Sequence, residues 1–172
     1  RDLNNPTNYI AIPKTSSERR KYIPMQYLTK DFIPADSIRL IPNAEPFLFS
    51  ILSSRIHMVW LKVVGGRLKT DYRYSKNIVY NTFPFPALTE SQKDSLNQNT
   101  YNILSKREKY PEKTLAEIYD PDKMPDELRE AHYQNDLAIE NCYRNEPFKN
   151  DKERLEYLFK LYEKMIAKEE AI

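Results

Sequence analysis

The distribution of proline divides this chain into two parts that fold by different rules. Eight of its 12 prolines lie in residues 1–88, where they separate short runs rich in β-forming residues. Proline cannot donate a backbone hydrogen bond, so it ends strands and interrupts helices. After the FPFP sequence at Phe83–Pro86, apolar residues recur with the 3.6-residue period of a helix. We therefore predict an α+β fold, with a small β-rich domain over residues 1–88 and a C-terminal helical, bundle-like tail over residues 89–172.

The β-rich part contains three runs with the composition of strands and one apolar segment. We predict strands at Tyr9–Ile12, Tyr22–Leu28 and Ser37–Ile41. The apolar segment Phe47–Val64 follows Pro46, which suits the first turn of a helix. Charged and ionisable side chains interrupt this segment, so we predict one buried helix and no membrane span.

The tail carries signals for three helices. Thr89 is placed to cap the first helix, with Gln92 at the capping-box position, and this helix ends before Pro111. The second begins at Pro125, where the acidic residues that follow favour the positive end of the helix dipole. The third has one apolar face, formed by Leu155, Leu158, Phe159, Tyr162, Met165 and Ile166. That face must pack on the other tail helices or on a part of the protein outside this chain.

The two parts also carry opposite net charge. Residues 1–88 hold 13 Lys and Arg against six Asp and Glu, a net charge of +7, whereas residues 89–172 hold 14 against 19, a net charge of −5. A positive field suits a domain that faces DNA, because phosphate neutralisation supplies most non-specific DNA affinity. Charge alone does not decide the matter, since runs of charge are usually solvated faces.

The run Gly65–Pro86 concentrates cationic, acidic and aromatic side chains at strand spacing. It begins with the only two glycines of the chain, so only there is the backbone free to take a positive φ or to let another surface approach closely. From Leu68 onward the side chains alternate as they do in a strand. One predicted face carries Lys69, Asp71, Arg73 and Ser75, and the other carries Leu68, Thr70, Tyr72 and Tyr74. We interpret the run as a ribbon that packs through one face and reads DNA through the other.

Two motifs of this chain resemble segments of a known family. The target-recognition segment of single-chain restriction-modification enzymes of Type IIL and IIG is similar to GGRLKTDYRYS followed by IVYNTFPFP. The helical tail of the same family is similar to LAEIYDPDKMPDELREAHYQNDLAIENCY, Leu115–Tyr143. The upstream segments SSERRKYIPMQYL and SILSSRIHMVW extend the resemblance over nearly all of the chain.

The resemblance implies a DNA-recognition module of an S-adenosylmethionine-dependent adenine-N6 DNA methyltransferase, often with an endonuclease domain ahead of it. The implied partners are double-stranded DNA and the methyltransferase domain of the same polypeptide, which would hold S-adenosylmethionine. The chain begins at Arg1 rather than at Met, which fits a piece of a longer protein. Its single cysteine, Cys142, and the lack of a signal peptide predict a cytoplasmic location.

The catalytic motifs of such enzymes are missing from this sequence. Adenine-N6 methyltransferases hold the flipped adenine with an (N/D)PP(Y/F) motif and bind the cofactor with a glycine-containing loop. Neither motif occurs here, two adjacent glycines exclude a GxGxxG or P-loop motif, and no PD…(D/E)xK nuclease pattern is present. We therefore predict that this chain is non-catalytic and binds no cofactor, and that catalysis lies upstream of Arg1.

The histidines and the aromatic residues of the run have structural interpretations. His57, His132 and Cys142 are too isolated in sequence to form a metal site, so we predict that both histidines are structural. His132 and Asp136 lie one helical turn apart and are predicted to pair on a helix surface. The aromatic residues that end the run either stack on bases or pack in the core, and packing is more common at this spacing: Tyr80, Phe83 and Phe85.

The resemblance also selects a pair of base-reading residues. In this family two ribbon positions vary with the base pair beside the methylated adenine, and the matching residues are Lys69 and Asp71. Lysine donates to guanine and aspartate accepts from cytosine, so we predict a guanine directly 3′ of the target adenine. The alternative is a surface ion pair with no reading role. Further DNA contacts are predicted for Arg67, Arg73, Ser75, Lys76, Arg55, Arg19 and Arg20.

A second function class remains open from the sequence. The tyrosine-rich run and the last amphipathic helix could instead bind a partner protein, which would make the chain an interaction or specificity module without direct DNA readout. Salt dependence separates the two classes. Phosphate contacts weaken steeply with salt, whereas a hydrophobic protein interface weakens little.

Overall fold

The structure, a computed structural model, describes residues 6–31 and 35–169 and confirms the α+β class. Two three-stranded antiparallel sheets form the β-rich part. The first has the order β3-β1-β4, and its strands are β1 (Asn8–Pro13), β3 (Gln26–Thr29) and β4 (Ile38–Pro42). The second has the order β2-β6-β5, and its strands are β2 (Thr15–Ser16), β5 (Gly66–Leu68) and β6 (Asp71–Arg73). The predicted strand at Tyr22–Leu28 is shorter than expected, since its proline interrupts the pairing.

One residue joins the two sheets. Lys14 lies between β1 and β2, its backbone oxygen accepts a hydrogen bond from the Tyr74 amide at 2.9 Å, and its own amide donates to the Ser37 oxygen at 2.9 Å. The end of β6 is therefore held against the end of the first sheet, which fixes the position of the run that follows the glycine pair.

The apolar segment forms two helices rather than the single predicted one. They are α1 (Pro46–Leu52) and α2 (Arg55–Val64), bent by 56° to each other. The break falls at a serine pair whose hydroxyls bond to the backbone: Ser53 donates to the Ser50 oxygen at 3.3 Å, and Ser54 donates to the Ile51 oxygen at 2.6 Å. Such local bonds compete with helical continuation.

The described helices are short or polar compared with a membrane span. No helix in the described residues is by itself long and apolar enough to cross a membrane, and α1 and α2 meet that criterion only as a bent pair. Both helices bury large side chains in the core, among them Phe49, Trp60 and Leu61.

The tail forms the three predicted helices and one short additional helix. They are α3 (Glu90–Glu108), α4 (Leu115–Ile118), α5 (Asp126–Tyr143) and α6 (Asp151–Glu169). The predicted capping box of Thr89 and Gln92 is confirmed at the start of α3. The short helix α4 was not predicted, although Thr114 and Glu117 give it a capping box of the same kind.

A single core extends through both parts of the molecule. Helix α1 packs on α3, α3 packs on α5, and α6 packs on α2. The Trp60 ring of α2 lies 5.2 Å from the Phe159 ring and 5.6 Å from the Tyr162 ring of α6, measured between centroids. The apolar face of α6 thus packs on the β-rich part, which was neither of the two surfaces expected for it.

Candidate nucleic-acid interface

The run after the glycine pair folds as a β-hairpin, not as one continuous strand. Leu68 pairs with Asp71, so the chain reverses through a two-residue turn at Lys69 and Thr70. Lys69 has a φ of 57°, in the left-handed region that residues other than glycine rarely occupy. The expectation that Lys69 and Asp71 share one face of a strand is therefore wrong, because Lys69 lies at the tip and Asp71 begins the returning strand.

The alternating pattern failed at the turn for a geometric reason. Residues that flank a two-residue turn face each other across the hairpin, whereas strict alternation places them on opposite faces. The turn residues, Lys69 and Thr70, are not the Asn-Gly or Asp-Gly pair that normally announces such a turn. Beyond the turn the alternation holds, since Tyr72 and Tyr74 are buried and Arg73 is exposed.

The glycine pair seats the hairpin against α2 by close approach and not by a positive φ. A side chain on Gly65 would place its Cβ 2.5 Å from the Leu61 backbone oxygen and 2.7 Å from Leu61 Cδ1, so only glycine fits. Neither glycine has a positive φ. Gly66 has only ordinary contact distance to Arg73 and therefore needs no glycine for packing reasons.

The buried face of the hairpin is fixed by hydrogen bonds and ring contacts. The Tyr74 hydroxyl lies 2.9 Å from His57 Nε2, and burial lowers the pKa of His57 to about 3, so this imidazole is neutral. The Arg67 guanidinium lies 4.1 Å above the Tyr72 ring and donates to the Thr70 oxygen at 3.1 Å. His57 thus has the structural position predicted for it.

The run presents exposed cations without protein counter-ions, three on the hairpin and one just after it. Within the described residues, no ion pair involves the four cations of the run, Arg67, Lys69, Arg73 and Lys76. All four are exposed. Ser75 has a different use, since its hydroxyl accepts a hydrogen bond from the Ile78 amide at 3.4 Å and caps a short π-helix, Lys76–Tyr80.

The three upstream arginines predicted to contact DNA have partners in the tail. Arg19 forms an ion pair with Asp122, and Arg55 donates two hydrogen bonds to Asp151 at 2.8 and 3.1 Å. Arg20 donates to the Ala116 oxygen at 3.5 Å. The sequence pattern could not show these contacts, because each joins residues about 100 positions apart. Arg20 also donates to the Ser16 hydroxyl at 3.4 Å, and Ser16 pairs with Tyr72 in the sheet that contains the hairpin.

The aromatic residues at the end of the run pack against the protein and each other. Phe83 is buried, with its ring centroid 4.5 Å from that of His57 and 5.0 Å from that of Phe85. The Tyr80 and Phe85 rings are 5.4 Å apart. This favours packing over base stacking, most strongly for Phe83.

His132 and Asp136 do not form the predicted surface pair. Both are buried, and each bonds elsewhere: His132 Nε2 lies 2.6 Å from the Tyr119 hydroxyl, and Asp136 accepts hydrogen bonds from the Tyr22 hydroxyl and the Arg55 amide, both at 2.7 Å. Burial raises the pKa of Asp136 to about 7. The predicted spacing of one helical turn was correct, but this face of α5 is buried. Tyr119, Tyr22 and Arg55 supply the hydrogen-bond partners there.

Comparisons with known proteins match both parts of the chain. A family model described as the MmeI target recognition domain matches residues 1–87, and one described as the MmeI C-terminal domain matches residues 88–169. DNA methyltransferase A of Bacillus subtilis (strain 168) is 48% identical over 166 residues, which are 96% of this chain and 19% of that protein.

A solved structure shows the same fold. The Type IIL restriction-modification enzyme MmeI, in complex with DNA, matches with a TM-score of 0.90 and 40% identity, covering 96% of this chain and 22% of that one. The chain thus spans about a fifth of the length of both relatives.

Proposed function

Because the chain belongs to the MmeI family, with a target recognition domain over residues 1–87 and a C-terminal domain over residues 88–169, we propose that it reads the target sequence for a site-specific DNA methyltransferase. The methylated base in this proposal is adenine, modified at N6. Duplex DNA is the ligand, and the hairpin at Gly66–Arg73 enters its major groove.

One observation carries this proposal: the hairpin exposes three cations, and Lys76 just after it a fourth, that have no counter-ion in the part of the chain that the structure describes. The B-DNA major groove admits a two-stranded β-ribbon, and its phosphates supply the missing negative charge. Exposed Lys69 lies at the tip and half-buried Asp71 begins the returning strand, and their donor and acceptor groups suit a G·C pair. We propose these two residues as base readers, and Arg67, Arg73 and Lys76 as phosphate contacts.

The base of the hairpin supports precise reading. Close packing at Gly65, the buried rings of Tyr72 and Tyr74, and the Lys14 backbone bond hold the ribbon at both ends. A binding element held on rigid structure loses little conformational entropy when it meets its ligand.

The residues of this chain do not fit S-adenosylmethionine. Its only two glycines are adjacent, Gly65 packs against Leu61 and Gly66 lies in β5, so neither belongs to a glycine loop that could approach a cofactor. We propose that a separate methyltransferase domain of the same polypeptide binds the cofactor and carries out the methyl transfer.

The alternative of a protein-interaction module is weakened by the packing. It depended on the tyrosine-rich run and on the apolar face of α6. Tyr72 and Tyr74 are buried, and the apolar face of α6 covers Trp60. Both surfaces are therefore already used inside the protein.

The test replaces Arg67, Arg73 and Lys76 together by alanine and measures duplex affinity by fluorescence anisotropy over a salt series. If each residue meets one phosphate, we expect lower affinity for every sequence and a log–log salt slope flattened by up to about three units.

A charge-matched control replaces three exposed lysines of α6, namely Lys152, Lys160 and Lys168, by alanine. We expect this control to keep the original slope. The proposal fails if the unaltered chain shows no salt-dependent duplex binding, or if the control flattens the slope as much as the hairpin variant does.

A further inference from the structure

An apolar cleft of about 250 Å³ lies beside the hairpin, between β4 and the π-helix. Its walls include Ile41 and Pro42 from β4 and the rings of Tyr74 and Tyr80. Two cations also line it, Arg39 from β4 and Lys76 from the π-helix. Arg39 was not singled out by the sequence, because an isolated arginine in a strand carries no motif.

The charge of the cleft has one sign. No acidic residue lines it, and both of its cations are exposed. Within residues 6–31 and 35–169, neither Arg39 nor Lys76 takes part in an ion pair. The nearby lysine, Lys14, does have a counter-ion, since its Nζ lies 3.3 Å from an Asp36 carboxylate oxygen. The cleft therefore suits an occupant that is both anionic and partly apolar.

Position relative to the hairpin limits what that occupant can be. Only Tyr74 and Ser75 separate Arg73 from Lys76, and the backbone at Ser75 is extended, with φ −121° and ψ 135°. The three Cα–Cα steps from Arg73 to Lys76 reach about 10 Å, and phosphates of one strand are spaced about 3.4 Å apart along the duplex axis. A duplex that meets Arg73 thus brings phosphates to the cleft within about three base pairs.

Strand pairing holds Arg39 in place at the rim. Arg39 lies directly opposite Ile12 in the β1–β4 register, and Ile12 is buried in the core. Cross-strand partners share one face of a sheet at about 5 Å. The arginine side chain therefore starts from a fixed point on the face that carries the cleft.

We propose that this cleft holds the sugar–phosphate backbone of the duplex next to the base pairs that the hairpin reads. Arg39 and Lys76 contact phosphate oxygens, and the tyrosine, isoleucine and proline walls pack on deoxyribose. This inference rests on the proposed function and adds Arg39 to the residues that carry it.

The protein arm of the test compares Arg39→Glu with Lys152→Glu, a charge-matched change on α6. Thermal melting first checks that both variants are folded, and the Arg39→Ala and Lys76→Glu variants repeat the measurement with other side chains. We expect Arg39→Glu to weaken duplex binding at least tenfold and to flatten the salt slope by about one unit, with no such change for Lys152→Glu.

The DNA arm leaves the protein unaltered and replaces single phosphates by neutral methylphosphonates along a bound duplex. We expect a cluster of one to three positions beside the read base pairs at which a methylphosphonate lowers the affinity of the unaltered chain. At the same positions the methylphosphonate should not lower the affinity of the Arg39→Ala variant any further. That loss of sensitivity identifies Arg39 as the residue facing those phosphates.

Two outcomes would overturn the inference, and they are distinguishable. If the unaltered chain binds duplex DNA but Arg39→Glu behaves as Lys152→Glu does, the cleft is not a DNA contact, and the edge of β4 would be left for a protein segment. If the unaltered chain does not bind duplex DNA even at low salt, the proposed function fails and this inference fails with it.

Discussion

The hairpin and the contact between α2, α5 and α6, here called the seam, use charged residues in opposite ways. In the seam Arg154 pairs with Glu140 through hydrogen bonds of 2.7 and 3.1 Å, and Arg55 pairs with Asp151. The side chains of Arg154 and Glu140 are only 13% and 8% exposed. On the hairpin the cations are exposed and form no ion pair within the described part of the chain.

The difference shows how one chain separates folding from binding. Partly buried ion pairs lose solvation and offset that loss only with good geometry, as the paired hydrogen bonds of the seam provide. The exposed cations of the hairpin keep their solvation and add a positive field that attracts phosphate. In the seam the Arg55–Asp151 pair joins the two family domains and the Arg154–Glu140 pair joins two helices of the C-terminal domain, whereas the charges on the hairpin remain for a ligand.

The largest effect is expected when the pH is raised and the buried carboxyl group of Asp136, in the seam, ionises. Asp136 has a pKa near 7 in the folded protein against a usual value of 3.8, because burial disfavours its charged form. A raised folded pKa gives stability that is complete below about pH 4 and is lost as the pH rises through 7. The contribution of Asp136 to the free energy of unfolding should therefore fall by up to about 4 kcal/mol between pH 4 and pH 8. Buried His57 and His132, whose pKa values are lowered, change stability in the opposite direction over this range, so the Asp136 contribution is the difference between the chain and its Asp136→Asn variant.

Urea denaturation at a series of pH values measures this fall. Asp136→Asn should remove most of it, since asparagine does not titrate and the Tyr22 hydroxyl can accept from its amide. Asp126→Asn, at an exposed carboxylate of the same helix, should keep it. Equal pH dependence in the chain and in Asp136→Asn would contradict the buried-carboxylate account.

A smaller effect is expected when the chemistry of the hairpin tip is reversed. Exchanging the proposed base readers for Glu at Lys69 and Arg at Asp71 should change the preferred base from guanine to cytosine. The preference should amount to about 1–3 kcal/mol if the contacts are direct. Sequencing duplexes selected by each protein from a randomised pool measures it, and an unchanged preferred site would show that these residues do not read the base.

The smallest effect concerns the backbone at the tip. Lys69 occupies the left-handed region, which costs a residue other than glycine about 1–2 kcal/mol. Lys69→Gly relieves that strain but increases the entropy of the unfolded chain by about 0.5–1 kcal/mol, so the free energy of unfolding should rise by about 0.5 kcal/mol.

Thr70→Gly provides the matched control, because Thr70 lies outside the left-handed region and should lose stability instead. Thermal denaturation compares the two variants. We expect Lys69→Gly to bind DNA with less preference for guanine despite its greater stability. A loss of stability in Lys69→Gly would mean that the turn is not strained.

Local features of this fold were predictable from the sequence, and long-range contacts were not. The capping box at Thr89 fixed the start of α3 because all of its atoms lie within one turn. The bond between Tyr22 and Asp136 joins residues 114 positions apart, and no local pattern encodes it. The tip of the hairpin was missed for a different reason, since a lysine in the left-handed region breaks the usual turn chemistry.

The packing of the Trp60 ring against Phe159 and Tyr162 has a consequence for exchanging specificities between relatives. The two family models meet near residue 88, but the Trp60 indole packs across that boundary. The two parts of the chain therefore depend on each other for their packing. A chimera that joins residues 1–87 of this chain to the C-terminal domain of a relative would create a cavity or a clash at the indole. Chimeras that exchange both domains together, or only the tip of the hairpin, keep this packing contact intact.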